Sequence, residues 1–215
     1  MRIDFVSDVV CPWCAIGLAE LETALSRLKG VVEPDIHLQP FELNPSLPAE
    51  GQSLTDLMRE KFGNRPPEQM KAAREAVQTR AASVGFTIAM DDNSRMYNTF
   101  DAHRLIHWAE LQGKGLAMKH ALFATHFTEG GNIADYDTLA AKAASIGLDP
   151  AKAREVLESG RYTKEVKDAE FRWKAAGINS VPSIIIDGKY LISGGQTADV
   201  FEQGLRQIAM QAAAE

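Results

Sequence analysis

Cys11 and Cys14 are the only cysteines in this chain of 215 residues, and they stand in the run Cys11-Pro12-Trp13-Cys14. Two thiols at this spacing can close into a disulfide and reopen, which suits two-electron exchange with another thiol or disulfide. With cysteine used nowhere else, the pair reads as chemical equipment and not as a structural staple. The residues before it, Ile3 to Val10, read as a short strand, and Ala15 to Leu28 read as an amphipathic helix. Cys11 therefore falls at a helix N-terminus, where unpaired N–H groups and the helix dipole stabilise a thiolate. Pro12 fits the first helical turn, where no amide hydrogen is required.

Such a pair needs a sheet behind it. Asp35 to Phe41 alternates polar and apolar residues as a second strand, and Asn44-Pro45-Ser46-Leu47-Pro48 breaks it. From about Ser53 to Ala176 nearly every segment has helical character, with starts at Ser53, Pro66-Pro67, Asn98 or Thr99, Asp135, Asp149-Pro150 and Thr163. Strand character returns in Ser183–Asp187 and Tyr190–Ser193 around a two-residue turn, Gly188-Lys189. A last helix runs from about Gln196 to Gln211, and Ala212 to Ala214 read as a frayed tail. A β-α-β unit with Cys-x-x-Cys at the end of its first strand, joined to a distant β-β-α unit, is the thioredoxin arrangement split by an insertion. The expected fold class is therefore α/β, a thioredoxin-like fold with a large all-helical insertion domain. Residues 1–45 and 177–215 would form the discontinuous thioredoxin-like domain, and 46–176 the inserted helical domain.

Val181-Pro182 immediately precedes the third strand. Proline before a central strand is awkward unless it takes the first position or a special turn. In a thioredoxin arrangement a Val-Pro here is expected in cis, facing the cysteines and presenting the Val181 main chain to an extended substrate. The plainer reading is a trans proline that simply starts a strand.

These segments in this order resemble the DsbA-like thiol–disulfide oxidoreductases, specifically the FrnE-type branch. The resemblance is carried by Asp4-Phe5-Val6-Ser7-Asp8 leading into Cys11-Pro12-Trp13-Cys14-Ala15-Ile16-Gly17, and by Pro40-Phe41-Glu42-Leu43-Asn44-Pro45. It continues through Asn98-Thr99-Phe100-Asp101-Ala102-His103-Arg104-Leu105, Val181-Pro182-Ser183 and Ser193-Gly194-Gly195-Gln196. It implies a dithiol–disulfide oxidoreductase in which Cys11 forms a mixed disulfide that Cys14 resolves. Pro12 and Trp13 would tune the pair, and Val181 and Pro182 would shape the substrate groove. The same superfamily contains glutathione-dependent isomerases and kappa-class glutathione transferases that use Ser at the Cys11 position. An isomerase or transferase acting with glutathione on a small aromatic substrate is therefore the alternative reading.

Two further residues are site candidates. Asp4 lies on the strand entering the motif, where the superfamily often places a buried acid for proton transfer; an edge carboxylate paired with Lys or Arg is the rival reading. His103 is a candidate groove residue, against a helix-surface or buried hydrogen-bonded histidine. His103 and His107, at i and i+4, could complete a zinc site with the two cysteines, but the redox pattern is the better formed, and no metal is expected. Trp108, Trp173, Phe123 and Phe127 read as insertion core. No tightly bound cofactor is expected. Partners would be protein or small-molecule disulfides and thiols, with glutathione as a redox partner. A net charge of −6 without a Lys/Arg cluster points away from nucleic acid and anionic membranes. Asp4 and Asp8 interrupt the N-terminal apolar run, so it does not read as a secretory signal, and the expected compartment is the cytoplasm, where a disulfide would be transient.

Overall fold

A computed structural model describes residues 1–212. Strand β1 (Arg2–Ser7) leads into helix α1 (Pro12–Arg27), and β2 (Asp35–Pro40) returns parallel to β1. A short antiparallel ribbon, β3 (Gln52–Ser53) and β4 (Arg95–Met96), encloses α2 (Leu54–Phe62) and α3 (Pro67–Ser83). Then come α4 (Phe100–Glu110) and α5 (Gly115–Phe123), which a π-helical turn, Ala124–Thr128, extends. Helices α6 (Tyr136–Ser145), α7 (Pro150–Glu158) and α8 (Thr163–Ala175) complete this helical stretch. The hairpin β5 (Ser183–Ile186) and β6 (Tyr190–Ser193) and helix α9 (Ala198–Ala212) follow.

The main sheet has the order β2-β1-β5-β6, with β5 antiparallel to β1 and Ile3 opposite Ile186. This is the thioredoxin-like α/β arrangement with helices inserted between β2 and β5. Alternation along the strands sorts the two faces. Ile3, Phe5, Ile184 and Ile186 pack into the large core with Leu18 and Leu21 of α1 and Phe201 and Leu205 of α9. Val6 and Ile185 lie on the other face, under Trp173 of α8 and beside Phe41 and Ile178. Helix α8, though inside the expected insertion 46–176, thus covers a sheet face that would otherwise expose apolar side chains to water.

Several helix starts have their expected caps. Ser53 Oγ accepts from Asp56 N–H at 3.3 Å, Asp135 from Thr138 N–H at 2.8 Å, and Asp149 from Ala151 N–H at 2.8 Å. Three details differ from expectation. The first strand stops at Ser7 and not at Val10, because Asp8 O accepts Cys11 N–H at 3.2 Å and turns the chain into α1. The hairpin turn centres on Asp187-Gly188 and not on Gly188-Lys189. Both central residues have positive φ (51° and 66°), and Lys189 N–H reaches Ile186 O at 3.0 Å. Asp187 is held there by accepting Arg2 N–H at 2.8 Å, and Asp-Gly suits this turn. The β3–β4 ribbon interrupts what reads as all-helical sequence; two-residue strands are too short to leave a periodic signal. Of the tail expected to fray, Ala213 and Ala214 lie outside the described residues, as does the end of the expected domain 177–215. Among the described residues no helix is long and apolar enough to cross a membrane.

Candidate active site

Cys11 is the N-cap of α1, with extended backbone (φ −92°, ψ 111°), and Pro12 takes the first helical position. Cys11 O accepts Cys14 N–H at 3.0 Å and Ala15 N–H at 3.3 Å, so the first turn of α1 fixes one cysteine over the other. Cys11 is 4% exposed and Cys14 is fully enclosed; both are free thiols. The outer thiol donates to Val181 O at 3.7 Å, which brings the end of the chain against the motif at its start. The Val181–Pro182 peptide bond is cis. Trp13, 43% exposed, forms an open apolar rim beside the pair.

Two glycines allow this convergence. A Cβ on Gly195 would stand 2.9 Å from Trp13 O, and one on Gly17 would stand 3.2 Å from both Gly195 Cα and Pro182 Cγ. Gly194 N–H also donates to Pro182 O at 2.8 Å. The sequence segments around Gly17, Pro182 and Gly195 are therefore one packed unit under the cysteines.

The two thiols are chemically unlike. Burial pushes the Cys14 thiol well above its ordinary range, and the adjacent Cys11 sulfur pushes the same way. Lys119 and the Asp8 main-chain N–H oppose this without prevailing. Cys14 thus keeps its proton at rest and waits behind Cys11. That asymmetry fits an outer nucleophile and an inner resolving group.

Asp4 is not the acid behind the cysteines. Strand alternation turns it to the α8 face, away from Ile3 and Phe5, which face α1. There its carboxylate receives Arg2 Nε and Nη2 at 2.8 and 2.7 Å and Gln39 Nε2 at 2.6 Å. Gln39 in turn accepts from Trp173 Nε1 at 3.0 Å. The acid at the cysteines is Asp8, fully buried in the turn before Cys11. Its Oδ2 accepts Leu43 N–H at 2.7 Å, and its Oδ1 lies 3.3 Å from His103 Nε2. Burial pushes the Asp8 carboxyl up, but His103, Leu43 N–H and Lys119 outweigh it and hold it below its ordinary value. His103 is therefore a buried partner of Asp8. His107 instead packs against the Tyr162 ring, 5.0 Å between centroids.

Three buried groups were not singled out from sequence. Lys119 of α5 is 1% exposed and lies over the Phe123 ring at 5.1 Å. It shares a helix face with Leu122 and Phe123 at i+3 and i+4, and that apolar stripe is the signal that marks it as inward. His126, in the π-helical turn, has both ring nitrogens buried without a hydrogen-bond partner, and burial lowers it to about 4. Glu42 follows β2 and packs beside Glu170 of α8, whose Oε1 accepts Glu42 N–H at 2.7 Å.

Burial, with the charges of Glu170 and Asp8, raises the Glu42 carboxyl to about 7 from an ordinary 4.5. An acid raised in the folded state contributes stability below its unfolded value and loses it as pH rises through its folded value. The window here is about pH 4.5 to 7. Glu42→Gln is expected to flatten that part of the stability curve. Above pH 7 the variant should exceed the wild type by about 1–2 kcal/mol, the full linkage being reduced by solvent screening. Urea midpoints on either side of the window check this; equal differences at both ends would count against it.

A family model described as a DSBA-like thioredoxin domain matches residues 2–206. The chain is 30% identical over 206 residues to the uncharacterized protein YwbO of Bacillus subtilis, covering 95% of this chain and 96% of that one. Among solved structures it is similar to the probable DsbA oxidoreductase SCO1869 of Streptomyces coelicolor. That match has a TM-score of 0.91 and 31% identity and covers 98% of this chain and 90% of the other. The fold is also shared with the cytosolic disulfide reductase DsbM of Pseudomonas aeruginosa with GSH, at 17% identity and a TM-score of 0.66 over 96% and 98% of the two chains. A 2-hydroxychromene-2-carboxylate isomerase shares it too, at 15% identity and a TM-score of 0.70 over 100% and 98%.

Proposed function

Since this chain belongs to the DSBA-like thioredoxin domain family, we propose that it is a thiol–disulfide oxidoreductase of the FrnE-type branch working through Cys11 and Cys14. The observation that carries this reading is the pairing of a helix-capping outer thiol with a fully enclosed inner thiol on one turn of α1. Cys11 as thiolate attacks a substrate disulfide and forms a mixed disulfide. Cys14 then attacks Cys11 Sγ, closes the Cys11–Cys14 bond and releases the second substrate thiolate. Pro12 starts the helix, Trp13 borders the approach, and Val181 with Pro182 lines the groove an extended substrate would occupy. In this reading residues 1–45 and 177–215 form the redox domain and 46–176 the helical domain, with α8 the helix that roofs the sheet. Glutathione is the proposed redox partner and the cytoplasm the proposed compartment; the shared fold of a cytosolic disulfide reductase with GSH supports both.

The second reading, a glutathione-dependent isomerase or transferase, is favoured by the fold shared with a 2-hydroxychromene-2-carboxylate isomerase. It needs no resolving thiol, whereas Cys14 stands directly behind Cys11. Equilibration in graded reduced and oxidised glutathione, followed by alkylation and mass spectrometry of the two thiols, separates them. Cys11 and Cys14 should disappear together in one reversible two-electron transition. A pair that never closes would leave the isomerase reading in its place.

A further inference from the structure

We propose that Lys119 is a positioning residue for the resolving step, its buried ammonium holding the negative charge that appears on Cys14 when that thiol attacks the mixed disulfide. The proposal rests on the dithiol reading above and goes beyond it by naming what stabilises the inner thiolate.

Lys119 comes from α5, yet it lies within Coulombic reach of Cys14, Asp8 and Cys11. Among the described residues it has no ion-pair partner within 4 Å; Asp8, the buried acid of the cluster, is engaged by His103 and Leu43 N–H. A buried, unpaired cation is costly unless a charge appears for it to meet. Burial holds its ammonium down to about 8, while the two cysteines and Asp8 pull it back up. Lys119 also reaches a cavity of about 570 Å³ between β2, α4 and α8, whose wall includes His103, Glu110, His37 and Arg172. His107 on α4 and Glu165 and Asp168 on α8 complete the titratable lining that faces it. His103, the partner of Asp8 in the turn before Cys11, shares this cavity wall with Lys119, which ties the ammonium to the cluster at the cysteines.

The step balances as follows. Cys14–SH gives up its proton to water, and its sulfur attacks Cys11 Sγ. A Cys11–Cys14 bond forms, the bond between Cys11 and the substrate sulfur breaks, and the substrate leaves as a thiolate with the electron pair. Cys11 and Cys14 are oxidised and the substrate disulfide is reduced.

Reaction of the reduced protein with dithiobis(nitrobenzoate) resolves the two events: Cys11 releases the first thionitrobenzoate, and Cys14 releases the second on closing the pair. In Lys119→Met the second phase should slow about tenfold at neutral pH, and the midpoint of its pH profile should move upward. Lys119→Gln carries the same expectation should the methionine variant not fold. An unchanged second phase with an unchanged pH midpoint in either folded variant overturns the assignment. A wild-type protein that releases only one equivalent overturns the dithiol reading itself, and this inference with it.

Discussion

The Cys11→Ser variant is expected to lose disulfide-reducing activity by about 10³-fold or more, with its fold intact. A serine hydroxyl is protonated at neutral pH and forms no bond to sulfur in exchange chemistry, so the first covalent step disappears. Packing changes little: the side chain keeps its size, its place at the N-cap and its donor toward Val181 O. Serine is also a favourable N-cap, so stability should hold or rise slightly. Reduction of a small disulfide by the variant, followed alongside its unfolding midpoint, checks both parts. Full activity in a folded Cys11→Ser protein would remove Cys11 from the mechanism. Because Cys14 is enclosed, it cannot take over as the attacking thiol.

The Cys14→Ser variant should behave oppositely, trapping the first intermediate. Cys11 still attacks, but nothing behind it can resolve the product, so the mixed disulfide accumulates to about one per chain. Treated with oxidised glutathione, the variant should carry one glutathione adduct at Cys11 that persists until external thiol is added, whereas the wild type sheds it by closing its own pair. Intact-mass spectrometry over time reads this directly. An adduct lost at the wild-type rate would mean that Cys14 does not resolve it, and the monothiol chemistry of a glutathione-dependent isomerase would gain ground.

Much of this was legible in the sequence because it is local. The strand, the Cys-x-x-Cys run and the helix after it are contiguous, and Gly or capping residues mark most helix ends in the insertion. Val181-Pro182 was also visible, as a proline misplaced before a buried strand. What was not legible is whatever depends on two distant segments meeting. Asp4 sits within β1 and Asp8 just past its end, at positions of the same strand parity, so only the turn after Ser7 decides that Arg2 and Gln39 take the first while the second stands at the cysteines. Lys119 and His126 are polar residues on helices, which sequence reading assigns to solvent by default; packing of α5 and its π-helical extension among the inserted helices turned them inward. Glu42 and Glu170, 128 positions apart, form a contact no local pattern announces.

The pairing of Ile3 with Ile186 has a consequence for synthesis on the ribosome. The two cysteines emerge well before β5, which supplies the middle of their sheet and follows them only after the whole helical stretch. Throughout that interval the nascent chain carries reactive thiols without the strand at their back or the Val181 carbonyl at their front. Premature capture by a passing disulfide is then limited by how quickly Val181 and β5 dock, and closing so long a loop costs only slowly increasing entropy with length. The surroundings of the thiols are thus completed by a later segment that has no cysteine of its own.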